Sequence, residues 1–188
     1  MRVRIGGTTE SATRTVCWLS LALLCRAAPS SVQRTVPLPS GGSIQYSTEN
    51  SQTRLEIQAR RAKPITLLLD RDKFVLAGAD ALNIRVIGEV KHRAIVLTDT
   101  YPSRPAGMSL CQAGQERFLR VVTVSRHSAR ETLRLKLESC RENLELASPG
   151  LEWQQEPPLV RIHWLLGPSK SGSAEQRLIR IGHDGRPR

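Results

Sequence analysis

Apolar and polar residues alternate along much of this chain, most cleanly in RLEIQAR, where Leu55, Ile57 and Ala59 fall on one face and Arg54, Glu56, Gln58 and Arg60 on the other. Side chains two positions apart share a face of an extended chain, so this segment predicts a half-exposed β-strand. SIQYST before it, and PITLLLD, KFVLAG, NIRVIGEV and AIVLTDT after it, are short apolar runs rich in Ile, Val and Thr. Turn-forming residues such as Asp70, Gly78, Asp80 and Gly88 punctuate them, which predicts further strands. FLRVVTV and ETLRLKLES flank SRHSAR as a strand pair, and in the second of them Leu133, Leu135 and Leu137 alternate with Arg134, Lys136 and Glu138. NLELAS, LVRIHWLL (Val160, Ile162 and Trp164 on one face) and QRLIRIG complete the set. SVQRTVPLPSGG predicts an extended segment broken at Pro37 and Pro39 and turning at Gly41 and Gly42. ADALNIR suggests one turn of helix, PGLEWQQEPP and GPSKSGSAE suggest loops, and HDGRPR, residues 183–188, suggests a flexible basic tail.

No other helical period and no fixed repeat is present. About ten short, mostly antiparallel strands spaced by turns predict an all-β chain, a β-sandwich or distorted barrel, over residues 31–182. One domain suits a chain of 188 residues, because a core drawn from half of it would be small. The irregular YPSRPAGMSL, near 101–108, marks where a subdivision would fall.

The first 30 residues carry a different pattern. Arg2, Arg4 and Arg14 precede the apolar VCWLSLALLC, and RAAPSS supplies small residues, with Ala28 and Ser30 placed for cleavage after Ser30. Basic, apolar and small segments in that order predict an export signal over 1–30 and a periplasmic or secreted mature chain. The apolar run is too short to span a bilayer, which takes about 20 residues. Cys25 ends that run and makes lipoprotein anchoring the variant to consider, although Leu24 stands where a small residue would be expected.

Export changes the cysteine arithmetic. The chain has 4 cysteines, and removing the leader takes Cys17 and Cys25 with it. Cys111 and Cys140 then remain, an even count in an oxidising compartment, which predicts a structural disulfide. Closing that loop would stabilise the fold by roughly 3.5 kcal/mol in the chain-entropy model. The spacing suits neither a zinc site nor a redox C-x-x-C, and His92, His127, His163 and His183 are scattered singly. Cys140 has the parity of the polar face of its strand, so a bulge must reset the register or the bridge must sit at the sheet rim.

The sequence contains no G-x-S-x-G, H-E-x-x-H, P-loop or dinucleotide motif and calls for no cofactor. Asp70 with Asp72, and Glu152 with Glu156, are short-range acid pairs of the kind that solvent usually covers, and DRDKF lacks the further oxygens of a calcium loop. Charge is the remaining signal. The formal net charge is +11, and the chain after residue 30 still holds 24 basic against 16 acidic residues. Arg60, Arg61 and Lys63 cluster in ARRAKP, while Arg54, Arg134, Lys136, Arg161 and Arg180 are predicted on wet strand faces. Such cations keep an exported β protein soluble and blunt its edges, or they bind an anionic partner. Tyr46, Phe74, Tyr101, Phe118, Trp153 and Trp164 are too dispersed for base stacking, which argues against sequence-specific nucleic-acid binding.

Ser171–Ser173 together with the cysteine pair resembles periplasmic lysozyme inhibitors, which push a Ser-Gly-Ser loop into the enzyme cleft. The aromatic residue expected after that loop is absent here, and a cationic inhibitor would be repelled by a basic lysozyme.

The expectation is therefore an exported, non-catalytic binding protein of a bacterial envelope that engages an acidic protein or another anionic envelope component, an inhibitor or immunity role included. Its candidate contact residues are Arg60, Arg61, Lys63, Arg134, Lys136 and Arg161. The alternatives are an envelope hydrolase, with His92, His127 or His163 meeting a serine or carboxylate only in the fold, and an assembly component that pairs through a sheet edge.

Overall fold

The computed structural model describes residues 34–49, 52–59, 63–105, 114–169 and 173–188. The predicted export signal lies outside the described residues. Those described form eleven strands and no helix. β1 (Arg34–Pro37), β2 (Gly42–Glu49), β3 (Gln52–Ala59) and β4 (Ile65–Leu69) make one sheet; β5 (Asn83–Val90), β6 (Ala94–Pro102), β7 (Gln115–Val124) and β8 (Ala129–Ser139) make a second; β9 (Glu145–Gln154), β10 (Leu159–Leu166) and β11 (Glu175–Arg180) make a third. Each sheet is an antiparallel meander of consecutive strands, so every pairing is local in sequence. β6 and β7, on either side of the predicted boundary segment, are neighbours in the second sheet.

The second sheet is the middle layer of a sandwich-like stack, and its sequence says why. β6 is buried on both faces from Ala94 to Tyr101. Ile95, Leu97 and Tyr101 point into a core shared with Ile44, Leu55, Ile57 and Leu69 of the first sheet. Ala94 and Val96, one residue out of phase, join Val160, Ile162 and Trp164 of the third sheet in a second core. A strand covered on both sides must be apolar without interruption, as AIVL is. The outer sheets keep one face wet: Leu55 and Ile57 are buried, while Arg54, Glu56 and Gln58 are only half-buried.

Four segments depart from the sequence pattern. KFVLAG supplies only an isolated pairing of Val75 with Ser103, because Asp72 turns the chain there, its Oδ1 accepting the Phe74 N–H at 2.9 Å and its carbonyl the Val75 N–H at 3.0 Å. ADALNIR forms no helix. PGLEWQQEPP is a loop only in its last four residues, since β9 runs on to Gln154; Pro149 and Gly150 fall in a register shift between the Ile162–Leu151 and Trp164–Leu146 pairings. A bulge is where a strand tolerates a proline that has no N–H to give. The tail is also not free. Arg180 and Arg188 exchange both backbone hydrogen bonds, at 3.2 and 2.8 Å, and Ile181 bridges Pro187, so 181–188 folds back as a hairpin.

The first two layers are joined by a buried polar network. Arg120 of β7 and Asp99 of β6 are both fully buried and meet at 2.8 Å. The remaining guanidinium nitrogens donate to Glu131 Oε1 at 2.8 Å and to the Asp70 carbonyl at 3.0 Å, just beyond β4. The Tyr101 hydroxyl donates to Asp99 Oδ2 at 2.7 Å and lies 2.7 Å from Thr53 Oγ1 of β3. Burial disfavours the charge on Arg120, but the Asp99 contact outweighs it and raises the guanidinium pKa. Burial, and then the Asp99 charge, push the Tyr101 phenol up. The tyrosine therefore stays a donor. Removing one member of a buried pair leaves an uncompensated charge, whereas replacing both with apolar groups does not. Arg120→Leu is expected to lower unfolding free energy by about 3–5 kcal/mol, and Arg120→Leu with Asp99→Leu to lose less than Arg120→Leu alone. Urea unfolding of the two variants checks the order.

Candidate anion-binding site

The six basic residues singled out from the sequence do not form one surface. Arg60 and Arg61 lie outside the described residues, and Lys63 is exposed just before β4. Arg161 stands on the outer face of the third sheet, 3.5 Å from Glu152. Arg134 and Lys136 lie on β8, where Arg134 is exposed as expected and Lys136 is largely buried. Arg134 donates to the Asp70 carbonyl at 3.2 Å. Lys136 is only 12% exposed and sits among Glu142 at 2.9 Å, Asp72 at 3.2 Å and buried Glu116 at 3.7 Å, with the Phe74 ring 4.7 Å away. Its charge is already spent inside the molecule, so Lys136 is not placed to contact a partner.

A different cationic surface emerges from the turns. The β5–β6 turn carries Lys91, His92 and Arg93, all exposed, and the β7–β8 turn carries exposed Arg126 and His127. The C-terminal hairpin brings Arg180, His183, Arg186 and Arg188. These surround two open grooves. One, about 620 Å³, is lined by Arg93, Arg180, His183, Asp184, Arg188 and the β9–β10 turn prolines Pro157 and Pro158. The other, about 760 Å³, is lined by Lys91, His92, Arg93, Arg126 and Asp184, with Ile57 and Ile65 of the first sheet. Arg93 and Asp184 belong to both.

This end is held in place by the backbone. The Val124 N–H donates to the Arg93 carbonyl at 2.7 Å, and Thr123 Oγ1 donates to the Gly185 carbonyl at 3.0 Å. Gly185 has φ +78°, and a Cβ there would stand 2.7 Å from the Arg93 carbonyl oxygen, so only glycine lets the hairpin close on the turn. Asp184 is the one acid lining either groove among the described residues. It accepts the Arg186 N–H at 3.2 Å and lies 3.8 Å from Arg188. The Arg186 N–H holds its carboxyl below the usual range. One acid thus faces a surplus of cations. Lys91 and His92 have φ 43° and 58°, left-handed backbone that favours glycine or asparagine.

His92 also bears on the hydrolase alternative. Its Nδ1 lies 3.5 Å from Glu89 Oε1, and Glu89 accepts the Ser40 hydroxyl at 2.6 Å and the Ser40 N–H at 3.0 Å. The order is serine, carboxylate, imidazole. Activating a serine needs the imidazole in the middle, so this arrangement instead pins the β1–β2 turn to the end of β5. His127 lies in an exposed turn, and His163 faces outward from β10, out of phase with buried Ile162 and Trp164. Among the described residues, no group of three or more His, Cys, Asp or Glu could hold a metal ion, and no helix is long and apolar enough to cross a membrane.

Cys111 lies outside the described residues. Cys140 sits in the turn immediately after β8, at the rim of the second sheet. The β7–β8 pairing also has register shifts, at Arg117/Phe118 and Val121/Val122. Gly114, three residues after Cys111, packs on Cys140, and a Cβ there would come within 2.9 Å of the Cys140 Sγ.

The Lys136 cluster generates a pH dependence. Burial works against the Asp72 charge, but the Phe74 N–H and Lys136 outweigh it and hold its carboxyl below the ordinary value. Its contribution to stability is therefore fully present above the unfolded pKa of about 3.9 and disappears as pH falls through the lower folded value. Asp72→Asn is expected to lower the urea midpoint at pH 7, with the gap to wild type closing as pH is lowered below about 4.

Compared with known proteins, the chain matches no protein-family model, no curated protein and no solved structure.

Proposed function

We propose that the chain is an exported, non-catalytic binding protein of a bacterial envelope whose cationic end takes hold of an acidic protein surface. The observation that carries this reading is the gathering of Lys91, His92, Arg93, Arg126, Arg180 and Arg188 around two adjoining grooves with Asp184 as their shared acid. A convex ligand with several carboxylates would meet these cations from both grooves at once. Attraction of that kind steers encounter and weakens with salt over a Debye length of about 8–10 Å.

Export is supported by the order of basic, apolar and small residues in 1–30. A Cys111–Cys140 clasp is supported by Gly114, three residues after Cys111, packing on the Cys140 sulfur. It would tie the β6–β7 connection to the far end of β8. Intact mass of the protein from its native host is expected to lack about 30 residues and to contain no free thiol until reduction. A full-length chain with four free thiols would remove both inferences.

Binding is tested with poly-L-glutamate in low and in physiological salt. Arg93→Glu with Arg126→Glu is expected to weaken it by about tenfold or more at low salt, since each reversal replaces attraction by repulsion. Arg161→Glu, on the outer face of the third sheet, should change it less than about twofold. Equal losses from both variants would sink the assignment of the site to this end.

The left-handed turn adds a second test. Non-glycine residues there carry a cost of about 1–2 kcal/mol each. Lys91→Gly with His92→Gly is expected to raise the urea midpoint while weakening poly-L-glutamate binding, so that stability and affinity move in opposite directions.

A further inference from the structure

At the opposite end of the second sheet, where β5 begins and β6 ends, a smaller cavity of about 290 Å³ opens between the second and third sheets. Its lining includes Asn83, Arg85, Thr98, Thr100, Arg117 and Trp153. Thr98 and Thr100 follow Ala94 and Val96 in phase along β6, so the apolar interlayer core gives way here to two nearly buried hydroxyls.

The aromatic wall is built in. Trp153 lies on Gly88, at the β5 register shift, where a Cβ would come within 2.2 Å of the ring. Its indole N–H donates to Gln155 Oε1 at 3.0 Å, and Gln155 donates in turn to the Glu89 carbonyl at 3.1 Å. The two guanidinium groups differ. Arg117 is neutralised by Glu138 at 2.9 Å and donates to Thr100 Oγ1 at 3.3 Å. Arg85 is exposed and has no acidic partner among the described residues. One uncompensated cation, hydroxyls beside it, and a fixed indole with Ile87 and Leu151 completing an apolar wall select a singly charged anion with a flat apolar body. The volume is that of about ten water molecules, which limits the body to about one ring.

We propose that this cavity binds a small monocarboxylate with a planar apolar group, the carboxylate on Arg85 and the plane against Trp153. The proposal is independent of the cationic end, which lies at the other end of the sheet.

The test uses the full chain with ¹⁵N-labelled tryptophan, titrated with sodium benzoate and with uncharged benzamide. Benzoate is expected to move the Trp153 indole N–H signal saturably, Trp153→Phe providing the assignment. The Trp164 signal should stay still, its N–H being held by the Leu137 carbonyl at 2.8 Å. Benzamide on wild type, and benzoate on Arg85→Gln, should each bind about tenfold more weakly or worse, as loss of a charge-assisted contact requires. Arg93→Glu should leave benzoate binding unchanged. The proposal is overturned by a Trp153 signal that does not respond, by benzamide binding as well as benzoate, or by benzoate binding that survives Arg85→Gln but is lost in Arg93→Glu.

Discussion

A guanidinium placed in an apolar interior has to be fully satisfied or it unfolds its surroundings, and the Arg120 side chain meets that demand with three partners drawn from two strands and one strand end. Asp99 supplies the countercharge from the next strand, Glu131 from the strand on the other side, and the Asp70 carbonyl reaches across from the first sheet. Because these bonds are directional, they fix what apolar contact between Leu55, Leu69, Leu97 and Phe118 leaves free, namely how far one sheet slides over the other. Tyr101 extends the same constraint to Thr53, and Arg71 stacks on the Tyr101 ring at 5.0 Å while donating to Thr48 at 2.8 Å. Stacking in the other direction, against the third sheet, uses apolar contact around Trp164 instead. The middle sheet is thus polar-locked on one face and hydrophobically packed on the other.

Much of this architecture was legible as period and parity. The alternation in Leu55 and Ile57, in Leu133 to Leu137 and in Val160 to Trp164 each marked a strand with one buried face, and each has one. What period cannot report is which layer covers a face. Arg134 and Lys136 have the parity of a solvated surface, yet the acids that hold Lys136 come from the segment after β4, from β7 and from the turn after β8. Asp99 and Arg120 likewise sit in apolar runs with nothing local to show that they meet. The second half of β9 was hidden for a simpler reason, since Pro149 and Gly150 carry the composition of a loop, while Leu151 and Trp153 already alternate with Glu152 and Gln154.

The cationic end was harder to see because no single stretch contains it, but the topology makes it nearly inevitable. In a meander, alternate turns emerge at the same end. Ser40 binding Glu89 brings the β1–β2 turn to the β5–β6 turn, and the groove linings bring in the ends of β3 and β4, the β7–β8 turn and the β9–β10 turn. Those connections hold Lys63, Lys91, His92, Arg93, Arg126 and His127 against Glu156, whereas the connections at the other end balance Asp70, Asp72, Asp80 and Glu142 with Arg71, Lys73, Arg104 and Arg141. Sorting turn residues by the parity of their connection would have located the excess of positive charge from sequence alone, once the strands were assigned to meanders.

Gathering like charges on turn tips has a cost, and the structure indicates how it is carried. Arg93 and Arg126 repel each other across a groove, and Lys91 and His92 occupy backbone that glycine would adopt without strain. A flexible loop would relax by spreading these residues apart. Here the tips belong to two-strand hairpins of the most constrained sheet, the Arg93 carbonyl is held by the Val124 N–H, and the C-terminal hairpin closes on it through Gly185. In the proposed binding role, preorganised cations would lose little freedom on meeting an anion, and part of the repulsion stored in the free protein would be returned as affinity when a counter-charged surface arrived. That exchange is possible only if the framework beneath does not yield. The rigid polar lock around Arg120 and the strained, charged turns at the end of the same sheet are therefore two parts of one arrangement.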